Sequence, residues 1–134
     1  MAHALHAYDG LCANIHGHSY RLLVTVRGNI KEEKGSPKNG MVLDFSVLKE
    51  IVKPMIIEKY DHSLVLNANS PHRDINLSAF EKVYFLPYQP TSENLVTDFA
   101  LQIKEKLPES IELYKVVLSE TATSFAEWNT DDHK

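Results

Sequence analysis

An α+β domain is what this sequence predicts, with antiparallel hairpins at both ends and two helices covering one sheet face. Three observations carry that expectation. Tyr20 to Gly28 alternates Leu22, Val24 and Val26 against Arg21, Leu23 and Thr25, the period of two that marks a strand with one buried face. Two sets of apolar residues recur at helical spacing: Phe45, Leu48, Ile51, Val52, Met55 and Ile56, then Leu95, Phe99, Ile103 and Leu107. Two β-rich runs, Leu113 to Leu118 and Ser124 to Trp128, follow the second set and close the chain.

Each element has its own local reason. The stretch Asn29 to Gly40 holds Gly-Ser-Pro, Asn-Gly and a run of charges, which predicts a solvated hairpin connection. Met41 to Asp44 is then expected to return as a short strand. The first helix should run from about 45 to 59, capped by Asp44 or Ser46 and bent at Pro54. Residues 67–90 begin with Asn, Ser and Pro and offer one short strand, Val83 to Leu86, before Pro87. Thr91 and Ser92 after Pro90 signal the start of the second helix, and Pro108 its end. Asn129 to Lys134 is polar and expected to fray. The order is β-β-α-β-α-β-β in one domain, residues 1–134, without repeat or linker.

Composition narrows the function. Fourteen basic and eighteen acidic residues give a net charge of −4 with no Lys/Arg cluster, so no nucleic-acid footprint exists and a small molecule is the expected partner. The single cysteine, Cys12, leaves no internal disulfide framework and fits a reducing compartment. No apolar run approaches the ~20 residues that span a bilayer, so no membrane partner is expected. The first residues lack the basic and apolar regions of a signal peptide, which makes the cytoplasm the expected location.

Chemistry concentrates near the start of the chain. His16 and His18 fall on one face if the segment is extended, because strand side chains alternate. Gly17 between them is costly in a strand unless something approaches closely. A third imidazole, His3, would complete a three-histidine site with its fourth position open, the arrangement of catalytic zinc. His6, His72 and His133 read as surface or hydrogen-bonded histidines.

Cys12, four residues before His16, is open to three readings. It is a small buried hydrophobe, a thiolate activated by metal and imidazole, or a fourth metal ligand. After the first helix, Asp61 in a turn can orient the imidazole of His62 or receive its proton, although a histidine there is also favoured by the helix dipole. Glu120, at the end of an apolar strand, is either a rim charge or a planar acceptor for two parallel N–H bonds.

Taken in order, A-H-A-L, C-x-x-x-H-G-H-S-Y, G-M-V-L-D-F, Y-D-H-S-L-V-L-N, P-T-S-E-N-L and S-E-T resemble the 6-pyruvoyltetrahydropterin synthase and 6-carboxytetrahydropterin synthase family from His3 to about Thr121. The resemblance implies the tunnelling fold, with subunits joined into hexamers of two trimers and active sites between subunits. It implies zinc on His3, His16 and His18, Cys12 as the proton-abstracting thiol, Asp61 and His62 as its partner pair, and Glu120 as the anchor of the pterin ring. The implied substrate is 7,8-dihydroneopterin triphosphate. The short C-x-x-x-H-G-H spacing resembles the carboxy enzymes of the queuosine route, with the pyruvoyl synthase, which eliminates triphosphate from the same substrate, as the alternative.

Two departures stand out. The family has a complete strand ahead of A-H-x-L, whereas here Met1 directly precedes Ala2, making His3 the least secure ligand and His6 its fallback. The stretch Ala68 to Gln89 is longer than in the family and carries no assigned role. Two other classes compete: a non-catalytic zinc module with Cys12 as fourth ligand, and a thiol hydrolase using Cys12, His62 and Asp61.

Overall fold

The computed structural model describes residues 1–133 and has two sheets and two helical segments. One sheet contains β3 (Arg21–Arg27), β6 (Glu112–Ser119) and β7 (Phe125–Asn129) in the order β3-β6-β7, antiparallel throughout. The other contains β1 (Ala2–His3), β2 (His16–Gly17), β4 (Leu64–Asn67) and β5 (Val83–Leu86) in the order β2-β1-β4-β5. Here β1 and β2 are antiparallel, but the β1–β4 and β4–β5 pairs are parallel.

The long strand β3 pairs Arg21 with Ser119 and Arg27 with Glu112, and the register shifts between Thr25 and Val26. One extra residue on β6, Tyr114, re-phases the alternation, so that Leu113, Val116 and Leu118 all face the core. Over that face lies α3 (Ser92–Lys106), started by Thr91, whose side chain accepts from the Asn94 amide. Its buried stripe Leu95, Phe99 and Ile103 meets Ala126 and Trp128 as well as the β6 residues in one continuous core.

The other helical segment is α1 (Phe45–Val52), a π-helical turn (Lys53–Ile57) and α2 (Glu58–Tyr60) in succession. Pro54 falls in the π turn. Its ring excludes the regular i→i−4 bond, and the backbone absorbs the defect as a widened turn rather than as a break. Ile56 and Tyr60 nevertheless reach the core.

Four expectations need correction. The strands are not antiparallel throughout, because β4 joins β1 and β5 in parallel through long excursions of the chain rather than hairpins. Met41 to Asp44 is not a strand: two hydrogen bonds, Lys31 N to Met41 O and Gly40 N to Lys31 O, close the loop, and Asp44 is taken as the cap of α1, accepting from Ser46 N. Leu64–Asn67 is a strand that the periodicity did not reveal, because Val65 and Leu66 are both buried between parallel neighbours and such a run lacks alternation. The polar end, expected to fray, folds back: Thr130 is buried and His133 stacks on Trp128 at 5.3 Å between ring centroids. Lys134 lies outside the described residues. Among those residues no helix is long and apolar enough to cross a membrane.

Candidate metal centre

His16 and His18 stand where the chain leaves one sheet for the other. β2 ends at Gly17 and β3 begins at Arg21, so Ser19 and Tyr20 form the crossover rather than the start of a strand through the histidines. The extended backbone still puts both imidazoles on one side, with ring centroids 5.0 Å apart. His3 joins them through β1, directly opposite His16 in the antiparallel pair. The ligand atoms of His3, His16 and His18 lie within 4.8 Å of one another.

Hydrogen bonds on the far sides of two rings fix their tautomers. His3 Nδ1 is 2.7 Å from the Pro90 carbonyl and His16 Nδ1 is 2.7 Å from the Asn14 carbonyl. A carbonyl only accepts, so each Nδ1 carries the proton and each neutral ring presents a bare Nε2. Those two Nε2 atoms are 3.1 Å apart. Two lone pairs at that distance repel unless a cation lies between them, and His3 is held below its ordinary pKa chiefly by burial, which favours the neutral ligand form. The site therefore fits a metal ion, and His3 rather than His6 completes it. His6 is exposed and its ring faces His72 at 5.7 Å. Gly17 is not enforced sterically, since an added Cβ would meet the Met1 carbonyl at an ordinary 3.6 Å.

Glu120 borders the triad. Its Oε1 is 3.5 Å from His3 Nε2 and 3.8 Å from His18 Nε2, and it accepts a hydrogen bond from the Tyr20 hydroxyl at 3.2 Å. Burial, then the Glu120 charge and hydrogen bond, lift the Tyr20 phenol far above its ordinary pKa, so it stays a donor. Cys12, in a 3₁₀ turn at Leu11–Ala13, is partly buried and near enough that its thiolate charge would add to the Tyr20 shift. Tyr20 was legible only in outline: it continues the period-two face of His16 and His18 but reads first as a strand residue.

Asp61 and His62 line a groove of about 400 Å³ that His18 and Tyr20 also line. His62 Nδ1 is 3.0 Å from Asp61 Oδ1, and the pair is exposed, 89% for His62 and 65% for Asp61. The imidazole holds the Asp61 carboxyl below its ordinary range. No hydrogen bond or ion pair links Cys12 to this pair among the described residues.

Sequence reading also missed Gln89. Its amide donates to the His6 carbonyl at 2.8 Å and accepts from the His6 amide at 3.2 Å, clasping the segment behind His3. Adjacent to it, Pro90 supplies the carbonyl for His3. Backbone acceptors leave no residue-type signal, so neither contact could have been read from the sequence.

Known proteins share this arrangement of chain and fold. A family model described as 6-pyruvoyl tetrahydropterin synthase matches residues 1–131. The chain is 33% identical over 132 residues to the 6-carboxy-5,6,7,8-tetrahydropterin synthase of Haemophilus influenzae, covering 96% of this chain and 91% of the relative. It is 35% identical over 130 residues to the protein of the same name from Aquifex aeolicus, covering 90% and 76%. The solved 6-pyruvoyl tetrahydropterin synthase of Plasmodium falciparum superposes with a TM-score of 0.69 at 26% identity, covering 95% of this chain and 87% of that one.

Proposed function

The chain belongs to the 6-pyruvoyl tetrahydropterin synthase family, and from that premise we propose that it is a zinc-dependent lyase converting 7,8-dihydroneopterin triphosphate to 6-carboxy-5,6,7,8-tetrahydropterin. The observation that carries the proposal is the pair of bare Nε2 atoms of His3 and His16 at 3.1 Å, with His18 beside them. The imidazoles of His3, His16 and His18 would suit zinc with a substrate hydroxyl beside it. Zinc bound there would acidify that hydroxyl and polarise the carbonyl that forms as the side chain tautomerises.

The protein's own groups divide the remaining work. Cys12, as thiolate, takes a proton from a side-chain carbon. His62, oriented through Nδ1 by Asp61, uses its free Nε2 to return or accept a proton on the opposite side. Glu120 receives the 2-amino and ring N–H edge of the pterin as a planar acceptor, with one oxygen held by Tyr20. Because Asp61 and His62 are exposed and unconnected to Cys12 within one chain, the proposal includes active sites completed between subunits of a cytoplasmic hexamer.

A 6-pyruvoyl product is the second reading, favoured by the likeness to the Plasmodium falciparum structure. The Cys12-x-x-x-His16 spacing and the names of the more similar relatives favour the carboxy product. Metal dependence tests the class of enzyme. Turnover of dihydroneopterin triphosphate should vanish on chelation and return with zinc, whereas turnover that survives complete chelation would support a thiol hydrolase instead.

A further inference from the structure

Asp61 and His62 are so exposed that side-chain packing does not hold them; the backbone turn that carries them does. Helix α2 ends at Tyr60, Asp61 leaves it with an extended ψ of 128°, and His62 adopts a positive φ of 58°. A non-glycine residue in that region persists only where its surroundings fix it. The last turn of a helix also leaves carbonyls without partners.

One residue answers both needs. Lys82 Nζ donates to the Glu58 carbonyl at 2.5 Å and to the Asp61 carbonyl at 2.7 Å, while its own carbonyl accepts from the Leu64 amide at 2.9 Å. Lys82 thereby brackets the turn on both sides of His62. It reaches this place because the chain after β4 loops out and returns as β5, parallel to β4 with Val83 opposite Leu64. That excursion is the stretch 68–89, which had no role on sequence grounds.

We propose that Lys82 is a positioning residue that aims the Asp61–His62 pair by holding the Glu58 and Asp61 carbonyls, so that segment 68–89 serves the reaction without touching the substrate. The inference rests on the reading of Asp61 and His62 as the proton-handling pair.

Lys82→Met and Lys82→Arg separate aim from simple support. In the zinc-loaded protein, Lys82→Met is expected to lower kcat about tenfold or more, as misplacement by a fraction of an ångström does, with KM for dihydroneopterin triphosphate within about twofold and zinc content unchanged. Lys82→Arg should recover most of kcat. Independently of turnover, ¹⁵N shifts of His62 should report one tautomer, protonated at Nδ1, in the wild type and a mixture in Lys82→Met. A lowered melting temperature with wild-type kcat would overturn the proposal, and so would an unchanged His62 spectrum. If the wild type itself does not turn over this substrate, the functional reading fails, yet the His62 spectrum still decides whether Lys82 holds the pair. Should Lys82→Met not fold, Lys82→Gln, too short to reach both carbonyls, is read the same way.

Discussion

Cys12 and His16 are separated by three residues, and their expected losses are different. Replacing His16 removes one of the two nitrogens that face each other at 3.1 Å, so His16→Ala should purify with little metal and no turnover. Cys12 stands near Tyr20 and outside the triad, so Cys12→Ala should keep one zinc per chain and lose at least about 100-fold in turnover, the range of a missing general base. Metal analysis by mass spectrometry beside the assay checks both; loss of zinc in Cys12→Ala would make the thiol a ligand and favour the non-catalytic module. The three histidines were legible as a cluster because metal ligation constrains residue type and spacing. What fixes their tautomers was not, because the Pro90 and Asn14 carbonyls belong to the backbone that every sequence has.

At the scale of elements, legibility followed amphipathicity. α3 and β3 each show one buried face in their periodicity, and both were placed to within a residue or two of their ends. β4 failed that test because it is buried on both faces, and Met41 to Asp44 failed in reverse, its apolar run feeding a helix cap. Asp44 shows what that cap contributes. The Lys38 ammonium first, then the Ser46 amide and hydroxyl, hold its carboxyl well below the ordinary carboxylate range. A folded pKa below the unfolded value of 3.8 means that the unfolded chain binds more protons, so the contribution is fully present above that value and fades as pH falls toward the folded one. The urea midpoint of Asp44→Ala should lie below that of the wild type at pH 6 and approach it below about pH 3. Because the group is exposed, added salt should also narrow the gap. A gap that stays constant from pH 6 to pH 2 would contradict the cap's ionic character.

For the whole molecule, the short β1 matters most. Only Ala2 and His3 pair with β2 and β4, yet His3 is buried to 1% exposure, so the histidine that seemed least secure in the sequence is the most enclosed of the three. Sequence could not foresee this, because the anchors at Pro90 and Gln89 are more than 80 residues away along the chain. The Asp61–His62 pair is exposed and makes no bond to Cys12 among the described residues, and under the proposed function the active site would be completed by the assembly. Mixing Cys12→Ala with His62→Ala subunits, each inactive alone, should therefore restore a fraction of wild-type turnover after reassembly; no recovery in mixed oligomers would place the whole site within one chain.

The product decides the central claim. Zinc-loaded protein incubated with 7,8-dihydroneopterin triphosphate under reducing conditions, with products resolved by mass spectrometry, is expected to yield 6-carboxy-5,6,7,8-tetrahydropterin with equal amounts of acetaldehyde and inorganic triphosphate. A pyruvoyl pterin without acetaldehyde, or unchanged substrate from a protein with intact zinc and assembly, would contradict it.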